Sequence, residues 1–287
     1  MTIPFAAAKP FPQAPSVFPS RLRGQVFGPL VLGQHCPGRS SGRGIRRHRL
    51  GLGLLLLALT LPGGGAGLVR KPDRPALDHA LARRPAIAAA LAGVVPGAVL
   101  IAGNSHAELA GRVGLPCAPL VNAGIAGARA REVADGLAGQ RAATWGRLGV
   151  LLIGTNDLLR VARPLSAQAR ARFAAEAAAS LAWLSQNAER VVVAAVPPLG
   201  KAAAFRRDPA AVAVYSDILR GLCRPGTCRF ADPFADLRDG DSGLAKPGSL
   251  PDAIHLADYA AMLDGLDLCR EAQPLPGSAA SASGVSR

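Results

Sequence analysis

The chain has 287 residues, of which 49% are hydrophobic, so it is long enough to bury a substantial core. Its formal net charge is +14, but the first 72 residues carry 10 of the 33 basic residues and none of the 19 acidic ones. The remainder is close to neutral and has no long basic stripe, which argues against a nucleic-acid partner.

A basic stretch followed by an apolar one dominates the N-terminal part of the chain. Four arginines precede an uncharged run over residues 50–61, which ends at a proline and three glycines. This pattern, with small residues up to Ala66, is typical of a secretory signal, and the run is shorter than the roughly 20 residues of a membrane-spanning helix. We expect residues 1–72 to be an extension plus a signal-like segment at 43–66, with export after cleavage. An uncleaved anchor over residues 50–69 stays open as an alternative.

The body of the chain, residues 73–272, alternates short apolar runs with longer amphipathic or alanine-rich segments. Such alternation predicts a parallel sheet covered by helices. We predict strands at residues 98–102, 119–122, 148–153, 191–196 and 227–231. We predict helices at residues 75–91, 107–112, 128–138, 166–186, 210–222 and 256–268. Residues 273–287 are small and polar, which predicts a disordered tail.

Three short polar motifs each follow one of the first three predicted strands. They are Gly103-Asn104-Ser105, Asn122-Ala123-Gly124 and Gly154-Thr155-Asn156-Asp157. Ligands of open parallel sheets bind outside the carboxyl ends of the strands, so we expect the three motifs to lie together there. Ser105 offers a hydroxyl and its own N–H, Gly124 an unobstructed N–H, and Asn156 a side-chain amide.

A fourth motif, Asp252-Ala253-Ile254-His255, lies near the end of the body. On a helical turn, side chains three apart share one face, so the carboxylate of Asp252 would hold the imidazole of His255 in one tautomer. A serine hydroxyl needs such an imidazole to take its proton. We therefore predict a hydrolytic site in which Ser105, Asp252 and His255 are catalytic.

The four motifs, in this order, resemble those of the SGNH hydrolases, also called GDSL esterases and lipases. The resemblance covers about residues 99–266 and implies a three-layer α/β/α sandwich with a flavodoxin-like parallel sheet of about five strands. It also implies that Ser105 is the nucleophile and that Ser105, Gly124 and Asn156 form the oxyanion hole. The family usually has Gly-Asp-Ser in its first motif, whereas this chain has Asn104, which keeps one acceptor but loses the charge.

The predicted activity is hydrolysis of a lipid, small-molecule or carbohydrate ester without cofactor or metal. Two alternatives remain: an acyltransferase that passes the acyl group to a sugar hydroxyl, or an envelope-binding module with a weak site. We expect His106 to form a wall of the site or to contact the substrate, and Asp157 to brace its loop or cap the following helix. Residues 201–213, after the fourth strand, are expected to set substrate specificity.

The cysteines divide into two pairs with different expectations. Cys223 and Cys228 flank a turn-forming sequence, which predicts a disulfide in an oxidising compartment. Cys117 and Cys269 are expected to be buried free thiols.

Overall fold

A five-stranded parallel sheet forms the centre of the computed structural model, which describes residues 74–224 and 226–273. The predicted leader and most of the predicted tail lie outside these residues. The strand order is β2-β1-β3-β4-β5, and all four pairings are parallel. The strands are β1 (Val99–Gly103), β2 (Leu120–Gly124), β3 (Gly146–Leu152), β4 (Ala188–Ala194) and β5 (Arg229–Ala231). The predicted sheet is confirmed.

Helices connect the strands close to the predicted positions. They are α1 (Arg74–Ala92), α2 (Ser105–Val113), α3 (Ala130–Leu137), α4 (Ala167–Ser185), α5 (Ala210–Leu222), α6 (Tyr259–Gly265) and α7 (Leu268–Glu271). The last predicted helix is divided in two because Asp267, with a φ of 56°, adopts the left-handed conformation between α6 and α7. Within the described residues, no helix combines the length and apolarity needed to cross a membrane.

Both faces of the sheet are buried, which makes the architecture a three-layer sandwich. Leu100 and Ala102 of β1 face one hydrophobic core, to which α1, α3, α4 and α5 contribute. Val99 and Ile101 face a second core, to which α2, α6 and α7 contribute. Burial of each large aliphatic side chain contributes about 1.5–3 kcal/mol, so the two cores hold the central strand from both sides.

The register of the central strands brings three predicted motifs to one edge of the sheet. Gly103 pairs with Gly124 of β2 and with Leu152 of β3, so the three strands end level with one another. After β1 the chain enters α2 on one face of the sheet, and after β2 it enters α3 on the other face. Because the two connections diverge, a crevice forms at the carboxyl ends of β1 and β2.

Two disulfides link segments of the described chain. The predicted Cys223–Cys228 bond is present, with Cα atoms 4.8 Å apart. The expectation for the other pair is wrong, because Cys117 and Cys269 also form a disulfide, with Cα atoms 5.6 Å apart. These two cysteines are separated by 152 residues, and the fold brings the segment before β2 beside α7.

Candidate active site

The first motif forms a tight junction between β1 and α2. At Gly103, which has a φ of 147°, a Cβ atom would lie 1.9 Å from the carbonyl oxygen of Leu152, so only glycine fits. Asn104 caps α2, since its Oδ1 accepts a hydrogen bond from the N–H of His106 at 3.0 Å. Ser105 then begins the helix, and its N–H has no hydrogen-bond partner among the described residues. The hydroxyl and a free N–H of Ser105 therefore both lie at a helix N-terminus.

The structure brings the fourth motif to Ser105. Nε2 of His255 lies 2.9 Å from Oγ of Ser105, and Nδ1 of His255 lies 2.6 Å from Oδ2 of Asp252. Burial raises the pKa of Asp252, but hydrogen bonds from His255 and from the N–H of Ile254 outweigh it and hold the pKa well below its usual range. Asp252 is therefore an anion that can orient the imidazole and stabilise it when it is protonated.

The acid–base pair lies in an irregular turn rather than on the expected helical turn. Oδ1 of Asp252 accepts hydrogen bonds from the N–H groups of Ile254 at 3.0 Å and of His255 at 2.7 Å. Ala253 has a left-handed φ of 65°, which costs a non-glycine residue about 1–2 kcal/mol. Its carbonyl accepts from the N–H of Gly200 at 2.8 Å, which ties the turn to the segment after β4.

The third motif contributes an amide with two fixed contacts. Asn156 is 9% exposed, its Nδ2 donates to the carbonyl of Ala128 at 3.0 Å, and its Oδ1 accepts from Nη2 of Arg207 at 3.0 Å. One hydrogen of Nδ2 is left for a ligand. Arg207 lies in the segment expected to set specificity, but the sequence offered no sign that it would contact Asn156.

Gly124 does not have the role predicted for it. Its N–H donates to Oδ1 of Asn122 at 3.0 Å and is therefore already engaged. A Cβ atom at Gly124 would lie 2.1 Å from the backbone nitrogen of Glu108, so the close approach of α2 to β2 explains the glycine. The prediction of Gly124 as an oxyanion donor is corrected on this ground.

A second glycine of the same loop offers a free donor. Gly127 has a φ of 77°, and its N–H has no hydrogen-bond partner among the described residues. It precedes Ala128, whose carbonyl contacts Asn156. The sequence analysis missed Gly127, although a glycine three residues after Gly124, in a loop at the end of a strand, was a usable signal.

Glu108 holds this loop in place from α2. Oε2 of Glu108 accepts from the N–H of Ala126 at 2.7 Å and lies 2.8 Å from Nε2 of His79. Burial raises the pKa of Glu108, but contacts with His79, Ala126, Arg112 and Arg83 outweigh it and lower the pKa. The buried anion thereby links α1, α2 and the loop that carries Gly127.

His106 lies beside the acid–base pair and is only 1% exposed. Its ring centroid is 5.5 Å from that of His255, and its Nδ1 lies 3.1 Å from the hydroxyl of Tyr259. Burial, followed by repulsion from His255, lowers the pKa of His106 to about 3. The ring is therefore neutral, which avoids a second positive charge next to His255. His106, Asn104 and Thr155 line a small cavity, and each has one buried side-chain atom without a partner in the described residues.

Asp157 contacts the start of α3, a helix that precedes it in the chain, and not the following helix that the sequence suggested. Both carboxylate oxygens accept from the N–H of Ala130, at 3.2 and 3.1 Å. Burial raises the pKa of Asp157 to about 8, and the nearby Glu176 and Glu132 add to the rise. Within residues 74–224 and 226–273, no group of three or more His, Cys, Asp or Glu side chains is arranged to hold a metal ion.

Comparison with known proteins identifies a family and a fold. A model of the GDSL-like lipase/acylhydrolase family matches residues 99–260, which contain all four motifs. No curated protein sequence matches the chain. A Streptococcus pneumonia structure named for a platelet activating factor has a TM-score of 0.57 at 19% identity, over 68% of this chain and 95% of that one. A GDSL-like lipase from Bacteroides thetaiotaomicron has a TM-score of 0.51 at 16% identity, over 66% of this chain and 96% of that one.

Proposed function

Since this chain belongs to the GDSL-like lipase/acylhydrolase family and is therefore an ester-hydrolysing enzyme, we propose that it is a serine esterase with Ser105 as its nucleophile. The observation that carries the proposal is the continuous contact from Ser105 Oγ through His255 to Asp252, at 2.9 and 2.6 Å. These are the distances at which a base can take a proton and a carboxylate can orient that base.

The reaction proceeds through an acyl-enzyme. His255 Nε2 accepts the proton of Ser105 as Oγ attacks the ester carbonyl, and then donates that proton to the leaving alcohol. Water then attacks the acyl carbonyl and loses a proton to His255. His255 returns that proton to Oγ of Ser105 as the bond to the acyl group breaks, so that the acid leaves and the free hydroxyl is restored. Asp252 keeps Nδ1 of His255 protonated throughout, so that Nε2 faces the serine as the acceptor.

Three donors stabilise the negative oxygen of the tetrahedral intermediates. They are the N–H of Ser105, the N–H of Gly127 and the remaining Nδ2 hydrogen of Asn156. The two N–H groups have no partner among the described residues, so they can turn to the substrate without breaking a protein hydrogen bond. Loss of one such donor typically lowers turnover by about 10²–10³-fold.

We propose an exported enzyme that acts on a lipid, small-molecule or carbohydrate ester. Two disulfides support export, because such bonds persist in oxidising compartments. The signal-like segment at 43–66 lies outside the described residues and stays a prediction. The test is to express the full chain and to look for the product outside the cell or in the periplasm. A product shortened at about residue 66 would support export.

The test of the activity is hydrolysis of a chromogenic acetyl ester and a longer-chain ester by the full chain. Ser105→Ala should lower kcat by at least about 10³-fold, because removal of the nucleophile disables the whole relay. Ser185→Ala, an exposed serine at the end of α4, is the matched control and should leave kcat unchanged. Equal rates for wild type and Ser105→Ala would refute the proposal. Acyl transfer to an added sugar, in place of free acid, would favour the transferase.

A further inference from the structure

Asn156 can hold an oxyanion only if its amide faces the right way. A side-chain amide has a donor end and an acceptor end of the same shape, and a turn of 180° exchanges them. In the reversed orientation, Asn156 would point a carbonyl oxygen at the developing negative charge. Some contact must therefore distinguish the two ends.

Arg207 supplies that contact. Its Nη2 donates to Oδ1 of Asn156 at 3.0 Å, and its Nε donates to the carbonyl of Thr155 at 3.1 Å. A guanidinium has five N–H donors and no acceptor, so only the oxygen of Asn156 can face it. The amide nitrogen must then face the other way, where it meets the carbonyl of Ala128.

The backbone around Arg207 is fixed to the strand-end loop that carries Asn156. Arg207 and Leu159 form an antiparallel bridge, and the N–H of Asp208 donates to the carbonyl of Leu158 at 2.8 Å. The side chain of Arg207 is half-buried, and its contact with the carbonyl of Thr155 ties it to the third motif as well. The contact between Arg207 and Asn156 therefore joins two segments that lie about 50 residues apart in the chain and are held together by their backbones.

The charge of Arg207 also acts on the amide. A hydrogen bond from a cation to Oδ1 draws electron density from the amide and makes its N–H a stronger donor. Burial and then repulsion from Arg206 lower the pKa of Arg207, while attraction from Asp252 opposes both, so Arg207 lies within electrostatic reach of the acid–base pair. It remains a cation, as arginine does in proteins.

We propose that Arg207 is a positioning residue of the oxyanion hole. It holds the side-chain amide of Asn156 so that the N–H faces the substrate oxygen, and it makes that N–H a stronger hydrogen-bond donor. This inference rests on the proposed function, since it concerns the same site. It predicts that Arg207 affects turnover through Asn156 and has little influence on substrate affinity.

The experiment is a double-mutant cycle on the full chain with the chromogenic acetyl ester. Arg207→Gln should lower kcat by about 10–10²-fold with KM changed by less than about threefold, since part of one oxyanion donor is lost. Arg207→Lys, which keeps a charged donor, should recover part of the loss. Arg170→Gln removes the same charge from an exposed position on α4, outside the segment at 201–213, and should match the wild type.

The decisive comparison is made in an Asn156→Ala background. There Arg207→Gln should change kcat by less than about threefold, because the group through which it acts is gone. The inference would be overturned by an undiminished effect in that background, by an effect no larger than that of Arg170→Gln, or by a rise in KM at constant kcat. If thermal unfolding shows that Arg207→Gln does not fold, Arg207→Lys replaces it in the double-mutant cycle with Asn156→Ala, and the same outcomes support or overturn the inference.

Failure of the inference can be told apart from failure of the proposed function. A wild type that hydrolyses esters and loses activity with Ser105→Ala, but is indifferent to Arg207→Gln, overturns only the positioning role. A wild type no faster than Ser105→Ala overturns both.

Discussion

The two sides of the site are held by different forces. The nucleophile wall, residues 103–108 with the end of β2 at 122–124, is built from regular elements, and Ser105 is only 8% exposed. The base loop, residues 251–257, is irregular, and the side chains of Asp252 and His255 are 56% and 30% exposed. Packing positions the wall, whereas the base loop is shaped by hydrogen bonds to the very carboxylate that orients the imidazole.

Because of this difference, we expect packing changes in the nucleophile wall to affect mainly stability and changes in the base loop to affect mainly activity. In the wall, Gly103 and Gly124 lie where backbones touch, so a methyl group added at either glycine should destabilise the fold. In the loop, changes to Asp252 should alter chemistry while the fold survives, because the loop is exposed and local. The following predictions test this contrast, from the largest expected effect to the smallest.

The largest effect is expected from Gly124→Ala in the nucleophile wall. The new Cβ would lie 2.1 Å from the backbone nitrogen of Glu108, so α2 must move off β2, and the free energy of unfolding should fall by more than about 4 kcal/mol. Gly221→Ala, where a Cβ meets open space on α5, should instead change it by at most about 1 kcal/mol in the stabilising direction. Urea denaturation measures both, and equal stabilities would contradict the packing argument.

The base loop should respond in activity instead. Asp252→Asn keeps an oxygen that accepts the N–H groups of Ile254 and His255 but loses the charge that orients the imidazole. We expect kcat to fall by about 10²–10⁴-fold. Thermal unfolding should change by only a few degrees. Asp252→Ala, which also removes the loop hydrogen bonds, should lower the unfolding temperature further, and the contrast fails if Asp252→Asn unfolds the protein or keeps full activity.

An intermediate effect on the free energy of unfolding is expected from removal of the disulfides. Cys117–Cys269 connects the segment before β2 to α7, across 152 residues, whereas Cys223–Cys228 spans five. By loop-closure entropy, removal of the long-range bond with paired Ser substitutions should lower the free energy of unfolding by about 3 kcal/mol more than removal of the short-range one. Urea denaturation of the two double variants under oxidising conditions measures the difference. Equal losses in the free energy of unfolding would contradict the loop-closure argument for Cys117–Cys269.

Outside this contrast, a further prediction concerns the pH dependence that Asp157 gives to the stability of the fold. Its pKa is raised to about 8 in the fold, from an ordinary value of 3.8, so the folded state holds the proton more firmly than the unfolded state does. The resulting stability is fully present below about pH 4 and is lost as the pH rises through 8. Asp157→Asn cannot ionise, so its unfolding temperature should fall less than that of the wild type between pH 5 and pH 9. The exposed Asp241→Asn is the control and should follow the wild type.

Local patterns were sufficient for much of the fold and for three of the site residues. Apolar runs and alanine-rich segments predicted five strands and the helices between them to within a few residues, because these patterns act at short range in the chain. Ser105, Asp252 and His255 lie together in the structure, as the order of the motifs suggested, since chain order and strand direction limit where loops can meet. The detailed shape of the turn at Ala253 did not follow from spacing.

By itself, the sequence determined the sheet, the helices and the chemical groups offered at the strand ends, because each depends on neighbouring residues. Only the tertiary structure decided which groups are free to act. The N–H of Gly124 is occupied by Asn122, the N–H of Gly127 is not, and Arg207 reaches Asn156 from another segment. Competition for a single donor, and contacts such as Cys117–Cys269 across 152 residues, arise when distant segments are packed into the same space, which spacing along the chain does not encode.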